Sequence, residues 1–330
     1  CIKQNLIMLS QKIFSLEPYS IKQKNSNFFF KKQINLLTKH HYKNSLKYRK
    51  ILNHLNYKVK NTDIMDLPFI SVNLFKFEDM ISIKKNKVFK TLMSSGTSST
   101  TPSKIFLDKN NAINQVKVLS NIVKTILGPS RLPMLIIDKN PNKINRHKFN
   151  ARIAAINGFS IFGNNHTYLL NENGKINYHK LNMFLKKFSK NNFFVFGFTS
   201  LIYENLIQNL NKKKINYNFD NAILLHGGGW KKMNDIKITN KEFKKRLKDK
   251  INLVNIYNYY GLVEQTGSIF IECKHCSSFK TSIFSDILIR DKNFNVVKKN
   301  DTGLIQLLSL LPSSYPGHNI LTEDIGKIVN

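Results

Sequence analysis

The chain has few of the features that mark a secreted or membrane protein. Only three of its 330 residues are cysteines, which is too few for a disulfide framework and suits a reducing compartment. No apolar run approaches the length of a bilayer-spanning helix. The first residues include neither an initiating methionine nor the basic and apolar regions of a signal peptide. We therefore expect a cytoplasmic protein with no membrane span, and an N-terminus that has been cut.

Acidic residues are also scarce: 20 aspartates and glutamates stand against 52 lysines and arginines, giving a formal net charge of +32. Such a charge suits a protein that binds nucleic acid or an anionic membrane surface without catalysis. However, no zinc-finger, RNP or basic-helix pattern accompanies it, and the lysines are spread among asparagines and isoleucines. A coding bias toward A and T explains that composition more simply. We expect no nucleic-acid partner, although a basic binding protein stays the alternative from another functional class.

The hydrophobic content of 42% predicts a globular protein, and its pattern divides the chain into three regions. Residues 1–65 are predicted to be helical, with lysine-rich exposed faces. Residues 66–267 alternate short apolar runs with segments of helical periodicity, which predicts an α/β core with a mostly parallel sheet. Residues 268–330 are rich in predicted strands and are expected to form a β-rich subdomain of the same core.

The predicted elements of the α/β core follow from periodicity and from turn residues. Short apolar runs predict strands at 132–137, 193–196, 222–225 and 253–257. Apolar residues three or four positions apart predict helices at 110–127, 152–162, 181–188, 200–210 and 241–250. Three further strands are predicted at 269–272, 287–289 and 303–308.

A hydroxyl-rich run over residues 94–104 is the most distinctive stretch of the core. Apolar residues flank it, so it is predicted to be a turn between buried elements. One glycine allows close backbone approach, the hydroxyls can donate to phosphate oxygens, and a lysine adds positive charge. The residues that could contact a polyphosphate are Ser94, Ser95, Gly96, Thr97, Ser98 and Lys104. An ordinary Ser/Thr-rich surface loop has the same composition, and the spacing of the common P-loop is absent.

Three consecutive glycines, Gly227, Gly228 and Gly229, follow the predicted strand at 222–225. Ligands of open α/β sheets bind at the carboxyl ends of strands, where bare backbone can lie against a flat purine ring. A plain turn between a strand and a helix has the same composition. Both interpretations remain open from the residues alone.

The run at 94–104 resembles the phosphate-binding loop of the adenylate-forming superfamily. Its form, Ser-Ser-Gly-Thr followed by Thr-Pro-Ser-Lys, is similar to that of LuxE-type acyl-protein synthetases, and the similarity continues through residues 127–138. Ser99 replaces a glycine of the superfamily motif. The resemblance implies an adenylate-forming fold, in which a large N-terminal domain of layered α/β sheets carries a β-rich subdomain.

A second motif, residues 259–267, resembles the Tyr-Gly-x-x-Glu segment of the same superfamily. The resemblance implies that Tyr260 and Gly261 lie beside adenine, with the tyrosine ring stacked on the base. Glu264 would supply an oxygen ligand for the Mg²⁺ that bridges the ATP phosphates. Val263 replaces the usual threonine, so one hydroxyl near the α-phosphate is missing. A Tyr–Gly turn inside the core is the alternative interpretation.

A third motif, residues 322–326, resembles the superfamily segment whose aspartate accepts both ribose hydroxyls. Asp324 occupies that position, and a carboxylate is well suited to the role as a charged double acceptor. Without the resemblance, the same five residues would be interpreted as an exposed turn.

Cys273 and Cys276 form half of a possible zinc site. Tetrahedral Zn²⁺ needs two more ligands, and no later cysteine exists to complete the set. LuxE-type relatives have a histidine near the position of Lys280, which further weakens a zinc assignment. A reactive thiol and two unpaired surface cysteines are the alternatives.

The resemblance implies a long-chain fatty acid–protein thioester ligase that uses ATP and Mg²⁺, with Thr97, Lys104 and Glu264 as catalytic residues. An acyl reductase or acyl carrier would be the partner protein. The related alternative is an acyl- or aryl-CoA ligase of the phenylacetate type. The small C-terminal domain of the superfamily, with its catalytic lysine, and the acyl-accepting cysteine of LuxE-type proteins are not visible in the sequence. A fragment, or a degenerate scaffold that binds nucleotide without turnover, is therefore also considered.

Overall fold

The computed structural model describes residues 13–14, 16–20, 26–94, 101–141, 151–210, 217–230 and 238–329. The chain forms two compact units. Unit 1 comprises Cys1–Ile122, Gly261–Phe270 and Lys280–Asn330, and unit 2 comprises Val123–Tyr260 and Ile271–Phe279. The division into regions 1–65, 66–267 and 268–330 stays a prediction.

The described strands, in chain order, are β1 Ile70–Ser71, β2 Lys90–Met93, β3 Lys104–Leu107, β4 Leu132–Lys139, β5 Gly163–Leu170, β6 Phe193–Phe198, β7 Ala222–Gly227, β8 Asn255–Tyr260, β9 Phe270–Glu272, β10 Phe279–Lys280, β11 Ser285–Arg290, β12 Gly303–Ser309 and β13 Asn319–Gly326. The described α-helices are α1 Ser26–Asn44, α2 Leu46–His54, α3 Leu74–Phe77, α4 Lys109–Leu127, α5 Ala151–Ser160, α6 Tyr178–Phe188, α7 Thr199–Ile202 and α8 Asn240–Ile251. None of these helices is both long and apolar enough to cross a bilayer.

Unit 2 is organised around a seven-stranded sheet in the order β10-β9-β8-β7-β6-β4-β5. Neighbouring strands from β5 to β8 are parallel, which confirms the predicted parallel α/β sheet. The central strands are buried apolar runs, as the sequence indicated. Strand β5 was not predicted, because its middle residues Asn164, Asn165 and His166 are polar and lie at the edge of the sheet.

Helices α6 and α8 bury their apolar faces against this sheet in one hydrophobic cluster. Their first turns are fixed by side-chain caps: Asn177 accepts from the Lys180 amide and Thr239 accepts from the Glu242 amide. The predicted helix at 200–210 is only partly α-helical, since α7 continues as a π-helix over Tyr203–Asn209. The buried Asn205 side chain donates to the Leu201 carbonyl there and competes with the regular backbone hydrogen bond.

Unit 1 contains a four-stranded sheet in the order β1-β13-β12-β11 and a separate two-stranded hairpin of β2 and β3. Strand β1 is parallel to β13, whereas β11, β12 and β13 are antiparallel neighbours. The segment at 66–75 supplies the edge strand β1 and the start of α3. The motif at 322–326 lies within strand β13 rather than in a turn.

Buried histidines link the N-terminal helices of unit 1 to the segment before β13. His41 Nε2 donates to the Pro312 carbonyl (3.0 Å), and the Ser82 hydroxyl lies 2.8 Å from His41 Nδ1. His318 Nε2 is 3.0 Å from the Thr38 hydroxyl. Burial lowers the pKa of His41 and of His318, so both stay neutral near pH 7.

Candidate functional site

The predicted phosphate loop forms the connection of the β2–β3 hairpin in unit 1. The two strands are antiparallel, with Met93 opposite Lys104. Two hydrogen bonds close the base of the loop: the Ser94 amide donates to the Ser103 carbonyl (3.0 Å), and the Ser103 amide donates to the Ser94 hydroxyl (2.8 Å). The Ser94 side chain is therefore used to fix the loop.

The central residues of that loop, Ser95, Gly96, Thr97 and Ser98, lie outside the described part of the chain. Lys104 is exposed at the first position of β3. The apolar flank before the loop is not buried as expected, since Phe89 is 64% exposed and Met93 is 40% exposed. A two-stranded hairpin leaves one of its faces open, and these side chains lie on it.

Glu264 lies in a short 3-10 turn, Val263–Gln265, and only 5% of it is exposed. The turn is fixed by its neighbours: the Tyr315 hydroxyl donates to the Glu264 carbonyl (2.9 Å), and Gln265 Nε2 donates to the Gly317 carbonyl (2.8 Å). Gly267 has φ +94°, and a Cβ there would lie 2.7 Å from the Gln115 carbonyl oxygen. This position therefore requires glycine.

The hairpin and the Glu264 turn are neighbours within unit 1, because β3 contacts residues 263–265. Burial raises the pKa of the Glu264 carboxyl, and the nearby Ser103 hydroxyl and Lys76 ammonium group oppose that rise. A buried carboxylate oxygen beside hydroxyl groups suits a hard cation such as Mg²⁺. The structure thus brings two separately predicted segments together.

Lys76 is a residue of this region that no sequence pattern indicated. It lies in the short helix α3, and its ammonium group donates to Asn73 Oδ1 (2.5 Å). Asn73 Nδ2 in turn donates to Glu323 Oε1 (2.7 Å) in strand β13. The chain has 52 lysines and arginines, and nothing in its composition distinguishes this one.

Asp324 follows Glu323 in β13 and is exposed. The Asp324 backbone amide donates to the Thr322 hydroxyl oxygen (3.2 Å), and that hydroxyl donates to the Ile305 carbonyl (2.8 Å). These bonds fix the backbone of the motif while leaving the Asp324 side chain at the surface. An exposed carboxylate on a rigid strand suits the predicted contact with two hydroxyl groups.

The turn of three glycines at the end of β7 in unit 2 exposes less backbone than was predicted for contact with a purine ring. Gly227 is buried, and a Cβ there would lie 2.5 Å from the Tyr259 ring, so this glycine makes room for a neighbouring tyrosine. Gly228 is exposed and has φ +76°, a conformation that favours glycine. Gly229 is also exposed, and a Cβ there would meet nothing within 4 Å. Only Gly228 and Gly229 leave backbone accessible to a ligand.

The two tyrosines at the end of β8 have different surroundings. The Tyr259 ring lies 4.9 Å from Phe159 and is stacked on Phe196, so it belongs to the aromatic packing of unit 2. The Tyr260 ring is half-buried, 6.2 Å from Phe279. Gly261, the next residue, belongs to unit 1, where a Cβ would lie 3.0 Å from Ile269 Cγ2.

His226 in unit 2 is a second buried polar residue that the sequence analysis did not single out. It lies at the end of β7, and its Nδ1 is 2.9 Å from the Thr199 hydroxyl. Burial, with a smaller contribution from the Lys244 charge, lowers the pKa of His226 to about 3. The imidazole is therefore neutral at physiological pH.

Cys273 and Cys276 lie in the turn between β9 and β10. The Cys273 amide donates to the Ser278 carbonyl (2.8 Å), and the Ser277 amide donates to the Cys273 carbonyl (3.0 Å). Within the described residues, no three or more histidine, cysteine, aspartate or glutamate side chains are grouped so that they could hold a metal ion. The described structure therefore shows no completed ligand set for zinc.

The family profile described as "Acyl-protein synthetase, LuxE" matches residues 2–330. No curated protein sequence matches the chain.

Solved structures with a similar fold are adenylate-forming ligases. They include 2-hydroxyisobutyryl-CoA ligase in an open conformation with its acyl-adenylate and CoA (12% identity, 91% of this chain and 69% of that chain, TM-score 0.66). The same ligase in its thioesterification state gives 11% identity, coverage of 94% and 64%, and a TM-score of 0.68. ATP-bound MatB from Rhodopseudomonas palustris gives 12% identity, coverage of 76% and 48%, and a TM-score of 0.50.

These structural similarities show the fold and confirm the expectation of an adenylate-forming α/β architecture. The chain spans 64–69% of 2-hydroxyisobutyryl-CoA ligase in these two matches and 48% of MatB.

Proposed function

The chain belongs to the LuxE acyl-protein synthetase family, and from this premise we propose that it activates a carboxylate with ATP. In this reaction a carboxylate oxygen attacks the α-phosphorus, the bond to the bridging oxygen breaks, and pyrophosphate leaves. The product is an acyl-adenylate. Such a step needs little covalent chemistry from the protein and depends on positioning and on neutralisation of charge.

In unit 1, the closure of the hairpin by Ser94 and Ser103 would hold the phosphate loop, with Thr97 and Lys104 contacting phosphate. Glu264 would provide an oxygen ligand to Mg²⁺, which neutralises phosphate charge when bound. Asp324 would accept the ribose hydroxyls. The observation that carries the proposal is the proximity of the base of this hairpin to the buried carboxylate of Glu264.

In unit 2, Gly228, Gly229 and Tyr260 would contact adenine. Exposed backbone and a half-buried aromatic ring suit a flat base. Gly227 is not included among the contacts, because the Tyr259 ring covers it.

We propose a long-chain fatty acid as the substrate and a protein cysteine as the acceptor. The description of the family as acyl-protein synthetases supports transfer of an acyl group to a protein. The cysteine thiolate would attack the acyl carbonyl carbon, the bond to the phosphate oxygen would break, and AMP would leave with a thioester formed. A reductase or acyl carrier that takes up the acyl group would be the partner. The cytoplasm is the proposed compartment, since three cysteines suit a reducing environment.

A ligase that transfers the acyl group to coenzyme A is the second candidate. The fold similarity to 2-hydroxyisobutyryl-CoA ligase favours it. The two candidates share the first step and differ only in the thiol that receives the acyl group.

Carboxylate-dependent exchange of pyrophosphate into ATP tests the first step, over a panel of fatty and aryl acids. Exchange with long-chain fatty acids would support the proposal. No exchange with any acid, combined with salt-sensitive retention on heparin, would instead favour the basic binding protein. The second step is then tested by adding coenzyme A or a candidate acceptor protein and measuring which thiol carries the acyl group.

Asp324→Asn tests the ribose contact. A neutral amide oxygen accepts more weakly than a carboxylate, so KM for ATP should rise about tenfold with little change in kcat. Asp301→Asn, at an exposed aspartate, is the matched control. Equal kinetics of the two variants would remove Asp324 from the proposed site.

A further inference from the structure

Lys76 lies at one end of a polar network in unit 1 that the proposed function does not yet use. Its ammonium group donates to Asn73 Oδ1, and Asn73 Nδ2 donates to Glu323 Oε1. Glu323 precedes Asp324, the proposed ribose contact. The network therefore connects helix α3 to the part of β13 that carries Asp324.

The packing of α3 also places this helix near the turn that contains Glu264. Phe75, the residue before Lys76, is buried and packs edge-to-face on Tyr315 at 6.0 Å. The Tyr315 hydroxyl donates to the Glu264 carbonyl (2.9 Å). Strand β3 contacts both α3 and the turn at 263–265, so these three elements are neighbours.

Helix α3 and the turn that contains Glu264 both contact β3, but Lys76 and Glu264 do not pair directly. None of the ion pairs found within 4.0 Å among the described residues includes either side chain. The partly buried Lys76 ammonium group donates to the neutral amide of Asn73, so its charge is available for an anion.

We propose that Lys76 is a positioning residue of the nucleotide site, where it orients Glu264 and Glu323 and supplies positive charge to the phosphates of ATP. The inference rests on the proposed function, since it assigns a new residue to the same site. A lysine that only stabilises the fold is the competing explanation.

The first test measures binding of Mg·ATP by calorimetry and pyrophosphate exchange for Lys76→Met, Lys76→Arg and Lys85→Met. Lys85 is an exposed lysine of unit 1 and provides the matched loss of charge. We expect Lys76→Met to weaken ATP binding and to raise KM for ATP about tenfold, while KM for the carboxylate stays unchanged. Lys76→Arg should recover most of this loss, because it keeps the charge, and Lys85→Met should behave like the wild type.

The second test is a double-mutant cycle on thermal stability without nucleotide, using Lys76→Met and Glu264→Gln. If the charges are coupled, Lys76→Met should lower the melting midpoint by about 2–4 °C in the wild type and by clearly less in the Glu264→Gln background. This measurement does not depend on activity.

The outcomes separate the two proposals. Failure of the wild type to bind ATP would overturn the proposed function together with the nucleotide role of Lys76. Wild-type ATP binding with equal behaviour of Lys76→Met and Lys85→Met, or an additive cycle, would overturn only the inference about Lys76.

Discussion

Two buried glutamates, one in each unit, have contrasting environments. In unit 2, Glu272 accepts from Lys244 Nζ (2.7 Å), from Asn240 Nδ2 (2.5 Å) and from the Asn258 amide (3.3 Å). Glu264 in unit 1 is buried to a similar degree, with 5% against 3% exposed, yet none of the described ion pairs includes it. A fully partnered charge contributes to the fold, whereas an incompletely compensated one is free to bind a ligand.

The largest expected effects come from replacing each glutamate with glutamine. Glu264→Gln should reduce pyrophosphate exchange by roughly 100-fold or more, because a neutral amide is a poor ligand for Mg²⁺. Its stability should be unchanged or higher, since the substitution removes a buried charge. Glu272→Gln should lower the free energy of unfolding by about 2–3 kcal/mol, because Lys244 loses its partner but stays partly exposed.

Urea unfolding and the exchange assay, applied to both variants, check this contrast. Loss of stability without loss of exchange is expected for Glu272→Gln at temperatures where it stays folded. If Glu264→Gln lost stability as strongly as Glu272→Gln, both carboxylates would be stabilising the fold and the contrast between them would be wrong. If Glu264→Gln kept its exchange activity, the chain would not use this carboxylate.

The second comparison concerns acid sensitivity. Burial lowers the pKa of His318 in unit 1 and of His226 in unit 2 to about 3, and lowers the pKa of His41 in unit 1 well below its usual value. In the unfolded chain these imidazoles bind a proton below about pH 6.5, whereas in the folded chain they stay neutral. Stability is therefore fully present above that pH and is lost progressively as the pH falls toward 3.

At about pH 5.5, His318 in unit 1 and His226 in unit 2 should each cost about 1.4 kcal/mol. His41 adds a further loss in unit 1, so unit 1 should lose more stability than unit 2. Amide hydrogen exchange in the intact chain, corrected for intrinsic rates, measures the two units separately. His226→Asn should remove the acid sensitivity of unit 2 only. If both units of the unmodified chain lost the same stability on acidification, the assignment of His41 and His318 to unit 1 and of His226 to unit 2 as the acid-sensitive groups would be contradicted.

A third comparison separates two glycines of the same turn in unit 2. Gly227→Ala places a Cβ 2.5 Å from the Tyr259 ring and should lower the free energy of unfolding by about 1–3 kcal/mol. Gly229→Ala has open space and no positive φ, so it should be nearly neutral. Chemical denaturation of both variants checks the difference, and similar midpoints would show that the Tyr259 ring does not fix the turn.

The two units also differ in how well their strands and strand pairings can be predicted from sequence. Most strands of the seven-stranded sheet were predicted because each is a local apolar run, whereas the polar edge strand β5 and the two-residue edge strand β10 were missed. In unit 1, strand β1 pairs with β13 across 250 residues, Ile70 with Ile320, and no local pattern indicates that pairing. Local periodicity cannot specify which distant segment completes a sheet.

The candidate site shows the same limit. Glu264 and the loop at 94–104 were identified through a family resemblance, and the structure places the base of that loop near the carboxylate. Lys76 could not be found, because one lysine among many has no distinguishing pattern. The glycine turn was identified, but sequence could not show that a tyrosine ring covers Gly227, since that contact comes from a neighbouring strand.

The smallest expected effect concerns the turn that contains Cys273 and Cys276. Backbone hydrogen bonds hold this turn, and the Cys276 side chain is exposed. Cys276→Ser should therefore change the free energy of unfolding by less than about 0.5 kcal/mol, as is usual for surface substitutions. Urea unfolding of the full chain, with and without a zinc chelator, checks this value. A structural zinc site contributes directly to folding, so a large drop in stability on chelation, matched in Cys276→Ser, would show that this turn holds zinc with ligands from outside the described residues.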